Sequence, residues 1–128
     1  MARMEKVNAD EVVKKICRLP LDFHAGSKSM AELVSESGVS AHPEALAVAS
    51  VVARLNGQPE LVDAWLDWSA NKRVTSGWYF AQEGSHFVVG FHPNGESLAF
   101  DDPALGCAEF VVREVWAVAA IPRKKSRT

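Results

Sequence analysis

Between Leu61 and Phe80 the spacing of apolar residues changes from threes and fours to twos. A spacing of three and four is that of one face of an α-helix, and a spacing of two is that of one face of a β-strand. The chain therefore leaves a helix near Lys72–Arg73 and enters a sheet within a few residues. The stretch also holds Trp65, Trp68, Trp78 and Tyr79, three of the four tryptophans and the only tyrosine. Large aromatics on both sides of one helix–sheet joint place the centre of the core there. Trp68 and Trp78 are both expected inside it.

Upstream of the joint the chain reads as helices. Asn8 or Asp10 suits the cap of a first helix reaching Leu19, with Val12, Val13, Ile16 and Cys17 inward and Pro20 as its end. Leu21 to Ser29 reads as a loop. Ser27 or Ser29 opens a short helix with Met30, Leu33 and Val34 inward, stopped by Gly38. A third helix is expected after His42–Pro43. Its Ala45–Ala53 stretch, apolar almost all round, predicts a central buried helix. Pro59 to Asn71 reads as a fourth helix with Leu61, Val62, Trp65, Leu66 and Trp68 as its buried stripe.

Downstream the pattern is a meander. Strands are expected over 77–82, 86–92 and 96–100. The first turn is Glu83–Ser85, and the second carries Pro93-Asn94-Gly95, whose Asn-Gly pair accepts the positive φ angles of a tight turn. Asp101 or Asp102 caps a last helix that begins at Pro103 and runs to about Ala120. Three strands and one helix leave apolar faces uncovered, so the N-terminal helices should pack on them as well. The expected class is α+β: N-terminal helices, a three-stranded antiparallel meander and a C-terminal helix. Residues 1–121 are expected as one domain, and 122–128 as a disordered basic tail.

Composition narrows the function. A chain of 128 residues with 48% hydrophobic content suits one globular domain. The charged Met1–Lys6 segment does not read as a signal peptide, which points to the cytoplasm, and no apolar run is long enough for a membrane span. Cys17 and Cys107 are then expected as buried thiols. The net charge of −2 is unevenly spread. Arg123, Lys124, Lys125 and Arg127 give the tail a charge of +4, leaving 10 basic residues against 16 acidic ones in the body. A body near −6 argues against nucleic-acid binding, which needs a basic surface.

Candidate chemistry is sparse. His86 and His92 share one face of the second strand with Val88 and Gly90, while Phe87, Val89 and Phe91 take the other. Six residues of strand separate the two histidines by roughly 20 Å, too far to share a metal ion. His24 and His42 fall at loops or helix starts. No metal site and no cofactor are expected. Cys107 lies on the helix stripe of Phe110, Val111 and Val118, which is the position of a small buried hydrophobe rather than a nucleophile.

Glu60, Asp63 and Asp67 recur at helical spacing opposite the apolar stripe. Such a face is a solvated surface, a set of paired carboxylates for acid–base or divalent-cation chemistry, or a docking face for a basic protein. Glu32 and Glu36, one turn apart, are placed to extend it. Lys72 and Arg73 beside Trp78 and Tyr79 make either a plain helix exit or a cationic loop for an anion or planar ligand, without the glycine spacing of a phosphate loop.

The segments Trp68–Phe80 and Cys107–Val115 together resemble a pattern in small bacterial proteins of unassigned role, similar in size and style to immunity proteins encoded beside toxins. The match covers about a fifth of the chain, on residues of a helix exit, a strand and the last helix. It carries over no catalytic residue. The leading expectation is a non-enzymatic protein-binding domain, of immunity-inhibitor type, that meets a basic protein through Glu60, Asp63 and Asp67. The alternative is a small enzyme or ligand-binding domain with a pocket between sheet and helices, using Arg73, Tyr79, His86 or His92. A homodimer through the exposed edge of the meander is a third possibility.

Overall fold

The computed structural model describes residues 8–71, 77–92 and 95–119. The chain is α+β, with six α-helices and one three-stranded antiparallel sheet of order β1-β2-β3 among the described residues. The helices are α1 (Ala9–Cys17), α2 (Leu19–Ala25), α3 (Met30–Ser37), α4 (Val48–Leu55), α5 (Pro59–Asn71) and α6 (Pro103–Ala119). The strands are β1 (Gly77–Glu83), β2 (His86–His92) and β3 (Ser97–Phe100). No helix among the described residues is long and apolar enough to cross a membrane. Arg73, the Pro93–Asn94 part of the second turn and the 122–128 tail lie outside the described residues.

Local chemistry sets the helix ends. Asn8 caps α1, its side-chain oxygen accepting from the Glu11 amide at 2.9 Å. Ser29 and Glu32 exchange bonds as a capping box at the start of α3, and Gly38 closes that helix at φ 91°, a left-handed angle that suits glycine. Asp102 Oδ1 accepts from the Ala104 amide at 3.0 Å and starts α6.

Two expectations about the helices need correcting. The 21–29 stretch is not a loop throughout, because α2 occupies its first half. Pro20 sits in the first turn of α2, where its missing N–H costs nothing, so it opens a helix as well as bounding one. The expected helix through Ala45–Ala53 is broken. Pro43–Ala45 forms a single 3-10 turn, α4 begins at Val48, and of α4 only Val51 and Leu55 are buried. Ala49, Ser50 and Ala53 face solvent. Alanine favours helix without presenting much apolar area, so a run of alanines signals propensity rather than burial.

The core runs through the helix–sheet joint. Trp65 is fully buried and meets Phe110 edge-to-face, with centroids 5.8 Å apart. Phe110 stacks on Phe80 at 5.7 Å, and Phe80 on Phe87 at 5.9 Å. One aromatic column thus links α5, α6, β1 and β2. The Trp65 indole N–H donates to the Cys17 carbonyl at 3.1 Å, tying α1 to the same column. Trp68 and Trp78 are only partly buried, so the interior tryptophan is Trp65.

Helix α6 lies across the sheet. It approaches closely at Gly106, where an added Cβ would stand 3.1 Å from Phe87 Cβ and 3.4 Å from Phe100 Cβ. Phe80, Phe87 and Val89 face α6. By alternation Tyr79, Ala81, Val88 and Gly90 face the other way. Helix α5 packs beside β1, and Ser69 Oγ accepts the Phe80 amide N–H at 2.7 Å.

Candidate functional site

Helix α5 is amphipathic in the simplest sense. Leu61, Val62 and Trp65 are buried, and Glu60, Asp63 and Asp67 are exposed on the opposite side. Burial of one side holds the other side's acids on a rigid element. Two residues from elsewhere in the chain join this face. His24 Nε2 stands 3.9 Å from Asp67 Oδ2, with both side chains more than half exposed. Asp63 rims a cavity of about 380 Å³ whose other walls include Asp102, Gln82, Asn56 and Phe87. The cavity lies where the α4–α5 turn, the β1–β2 hairpin and the start of α6 converge. His24 escaped the sequence reading because α2 read as a loop, and Asp102 because its capping role says nothing of what it packs beside.

Glu32 and Glu36 have local duties instead. Glu32 completes the capping box of α3. Glu36 accepts from Lys28 Nζ at 2.7 Å, and this bond raises the Lys28 ammonium pKa.

The pocket set is spread along the sheet. Tyr79 and His86 both lie on the face turned away from α6. The Tyr79 ring lies across its cross-strand neighbour Gly90, where an added Cβ would stand 2.5 Å from the phenol oxygen. His86 is exposed, its Nδ1 at 2.8 Å from Asp101 Oδ1. His92 closes β2 opposite Gly77.

The imidazoles of His24, His42 and His86 each lie beside a different exposed carboxylate, of Asp67, Glu44 and Asp101 respectively. The Glu44 carboxyl is held below its ordinary range first by a backbone hydrogen bond and then by His42. Among the described residues no three His, Cys, Asp or Glu side chains come together as a metal site.

The thiols of Cys17 and Cys107 are free and fully buried. Burial pushes the Cys17 pKa up to about 12, slightly opposed by Arg54, and it raises that of Cys107 as well, with a further push from Cys17. Both should resist thiol reagents until the protein unfolds. A pH dependence follows. In the unfolded chain these thiols ionise near 9.0, whereas in the folded protein they keep their protons. Stability is therefore insensitive to them below that pH and falls above it, by up to about 1.4 kcal/mol per pH unit for each thiol. Urea midpoints measured from about pH 8 to about pH 11 should fall, and less steeply in Cys17→Ala, because that variant loses one of the two coupled protons. Equal slopes would mean that Cys17 is not held protonated.

A second surface lies at one end of the α6-facing side of the sheet. Trp78 meets Phe91 edge-to-face at 5.0 Å, and the Arg113 guanidinium sits over the Trp78 ring at 5.4 Å. Arg113 also pairs with Glu109 one turn earlier. Among the described residues Phe91, Leu98 and Trp116 are the large exposed hydrophobics, with Leu98 44% accessible. At the other flank of α6, Glu114 is buried, and its Oε2 accepts from the Trp68 indole N–H at 3.4 Å.

No protein-family model, curated protein or solved structure matches this chain.

Proposed function

We propose that this chain is a non-enzymatic cytoplasmic protein-binding domain, of the immunity-inhibitor type, that receives a basic partner on the acidic face of α5. The observation that carries this reading is the exposure of Glu60, Asp63 and Asp67 along one side of a helix whose other side is locked into the core. Acids held on a rigid element present a preorganised field, which speeds the encounter with a basic surface and selects against acidic ones. The negative body deepens that field. His24 and Asp102 flank the face and mark its two ends.

The test is affinity capture of the tagged protein from its native lysate at low and high salt, repeated with the Asp63→Lys/Asp67→Lys variant. One stoichiometric basic protein should be held by the wild type at low salt and released at high salt. The variant should bind it at least about tenfold more weakly. Its melting temperature should stay within about 2 °C of wild type, since exposed substitutions change stability little. Capture unaffected by the double reversal removes the acidic face from the function. A several-degree thermal shift with one metabolite class would favour a ligand-binding pocket instead.

A further inference from the structure

The two edges of the sheet are finished differently. At β1 the outward Phe80 N–H is taken by Ser69 of α5. At β3 the outer edge faces no described element. That edge strand is short, but Ser97-Leu-Ala-Phe100 carries no charge and no proline to block a further strand.

The direction of the unpaired backbone groups follows from the ladder. Because the Phe80 N–H points away from β2, Phe80 and its partner Val89 form a non-hydrogen-bonded pair. Val89 then turns its N–H and C=O toward β3, where its partner is Leu98. Leu98 therefore spends its own polar groups on β2. Its neighbours Ser97 and Ala99 direct theirs outward, one on each side of it.

We propose that β3 pairs with β3 of a second copy of this chain, about a two-fold axis through Leu98. An antiparallel pairing centred there sets Ser97 against the partner copy's position 99, and Ala99 against its position 97. Each such pair can exchange both hydrogen bonds, so every outward group of Ser97 and Ala99 is satisfied at once. The exposed Leu98 side chain meets its own copy on the same face. Glu96 falls opposite the apolar position 100 of the partner copy, one position from its acidic 101.

Charge favours a second copy over a basic protein at this edge. The residues that pair, Ser97, Leu98 and Ala99, are exposed and uncharged, so a second copy meets no opposing charge within the pairing itself, and a strongly basic partner gains nothing from it. A strongly basic partner is drawn to α5, which lies on the β1 side of the sheet. In the dimer the strands form one six-stranded sheet with both α6 helices on one face. The apolar rim of Phe91 and Leu98 in each copy continues into the other, and the two acidic faces stay open at the outer ends.

The experiment is sedimentation velocity on the full chain over a range of concentrations. The wild type should run at twice the mass of one chain. Leu98→Lys places like charges directly opposite each other, and Ala99→Pro removes an outward N–H that β2 does not use. Each should raise the dimer dissociation constant at least about tenfold with an unchanged circular dichroism spectrum. Where Leu98→Lys fails to fold, Leu98→Cys decides. Directly opposed residues of a non-hydrogen-bonded pair stand about 4.5 Å apart at Cα, within disulfide range, so mild oxidation should link two chains. The buried Cys17 and Cys107 leave the wild type unlinked under the same treatment. A wild type that sediments as a single chain at every concentration overturns the proposal and leaves the edge to an extended peptide of another protein. A dimer that survives both substitutions, or a Leu98→Cys protein that stays unlinked, overturns the register.

Discussion

Trp65→Ala should lower the free energy of unfolding by about 3–5 kcal/mol. The indole is fully buried and meets Phe110 at the centre of the aromatic column, so its removal leaves a cavity among rings that belong to three other elements. The substitution also deprives the Cys17 carbonyl of the indole N–H that reaches it at 3.1 Å, and an unsatisfied buried acceptor adds a cost of its own. For a domain with a total stability of about 5–15 kcal/mol, a loss of this size brings unfolding close to ordinary temperatures. Urea denaturation reads it directly. Trp65→Phe separates the contributions, because it keeps an aromatic ring against Phe110 and loses only the donor and part of the volume. A loss below about 1 kcal/mol in Trp65→Ala would mean that the column is not the centre of the core.

Gly106→Val should cost about 1–3 kcal/mol, by the opposite mechanism. Helix α6 approaches the sheet so closely at this residue that a first carbon would already stand 3.1 Å from Phe87 Cβ, 3.4 Å from Phe100 Cβ and 3.5 Å from Phe80 Cε1. The two further methyls of valine have no room unless the helix lifts from β2 and β3. Glycine inside a helix is ordinarily the weaker choice by about 1 kcal/mol relative to alanine, so its presence in α6 reports a packing demand. Pairing Gly106→Val with Phe100→Leu should recover part of the loss, and a double-mutant cycle measures the coupling. Additive effects in that cycle, or a neutral Gly106→Val, would place the contact elsewhere.

Several elements could be read directly from residues. The first cap was narrowed to Asn8 or Asp10 and the start of α3 to Ser27 or Ser29, and the glycine stop at Gly38 and the proline start of α5 were plain, because each depends on side chains within a few positions of the helix end; the Glu32 half of the capping box emerged only in the structure. The meander was legible because the Trp78–Phe80 and Phe87–Phe91 stretches alternate with period two. The segments that misled were those where one residue type serves two purposes. Pro20 both bounds α1 and opens α2. The alanines near Ala49 favour helix whether or not they are buried. On the candidate site, the exposure of Glu60, Asp63 and Asp67 followed from their placement opposite Leu61, Val62 and Trp65. The nearness of His24 and Asp102 did not follow, since His24 belongs to α2 and Asp102 to the start of α6, both distant in sequence from α5.

Apart from α2 and the buried side of α4, the amino-acid pattern by itself determined the kinds of element, their order and which side of each is apolar, because hydrophobic period, capping and turn chemistry act over a few neighbouring residues. Tertiary structure alone decided that Trp65 rather than Trp68 or Trp78 is the interior tryptophan, that Gly106 packs α6 closely against Phe87 and Phe100, and that Ser69 closes the edge at β1 while β3 faces no described element. These outcomes depend on which surfaces meet after the chain has folded back on itself. Contacts between residues tens of positions apart, such as that of Trp65 with the Cys17 carbonyl, leave no local periodicity for a sequence to display.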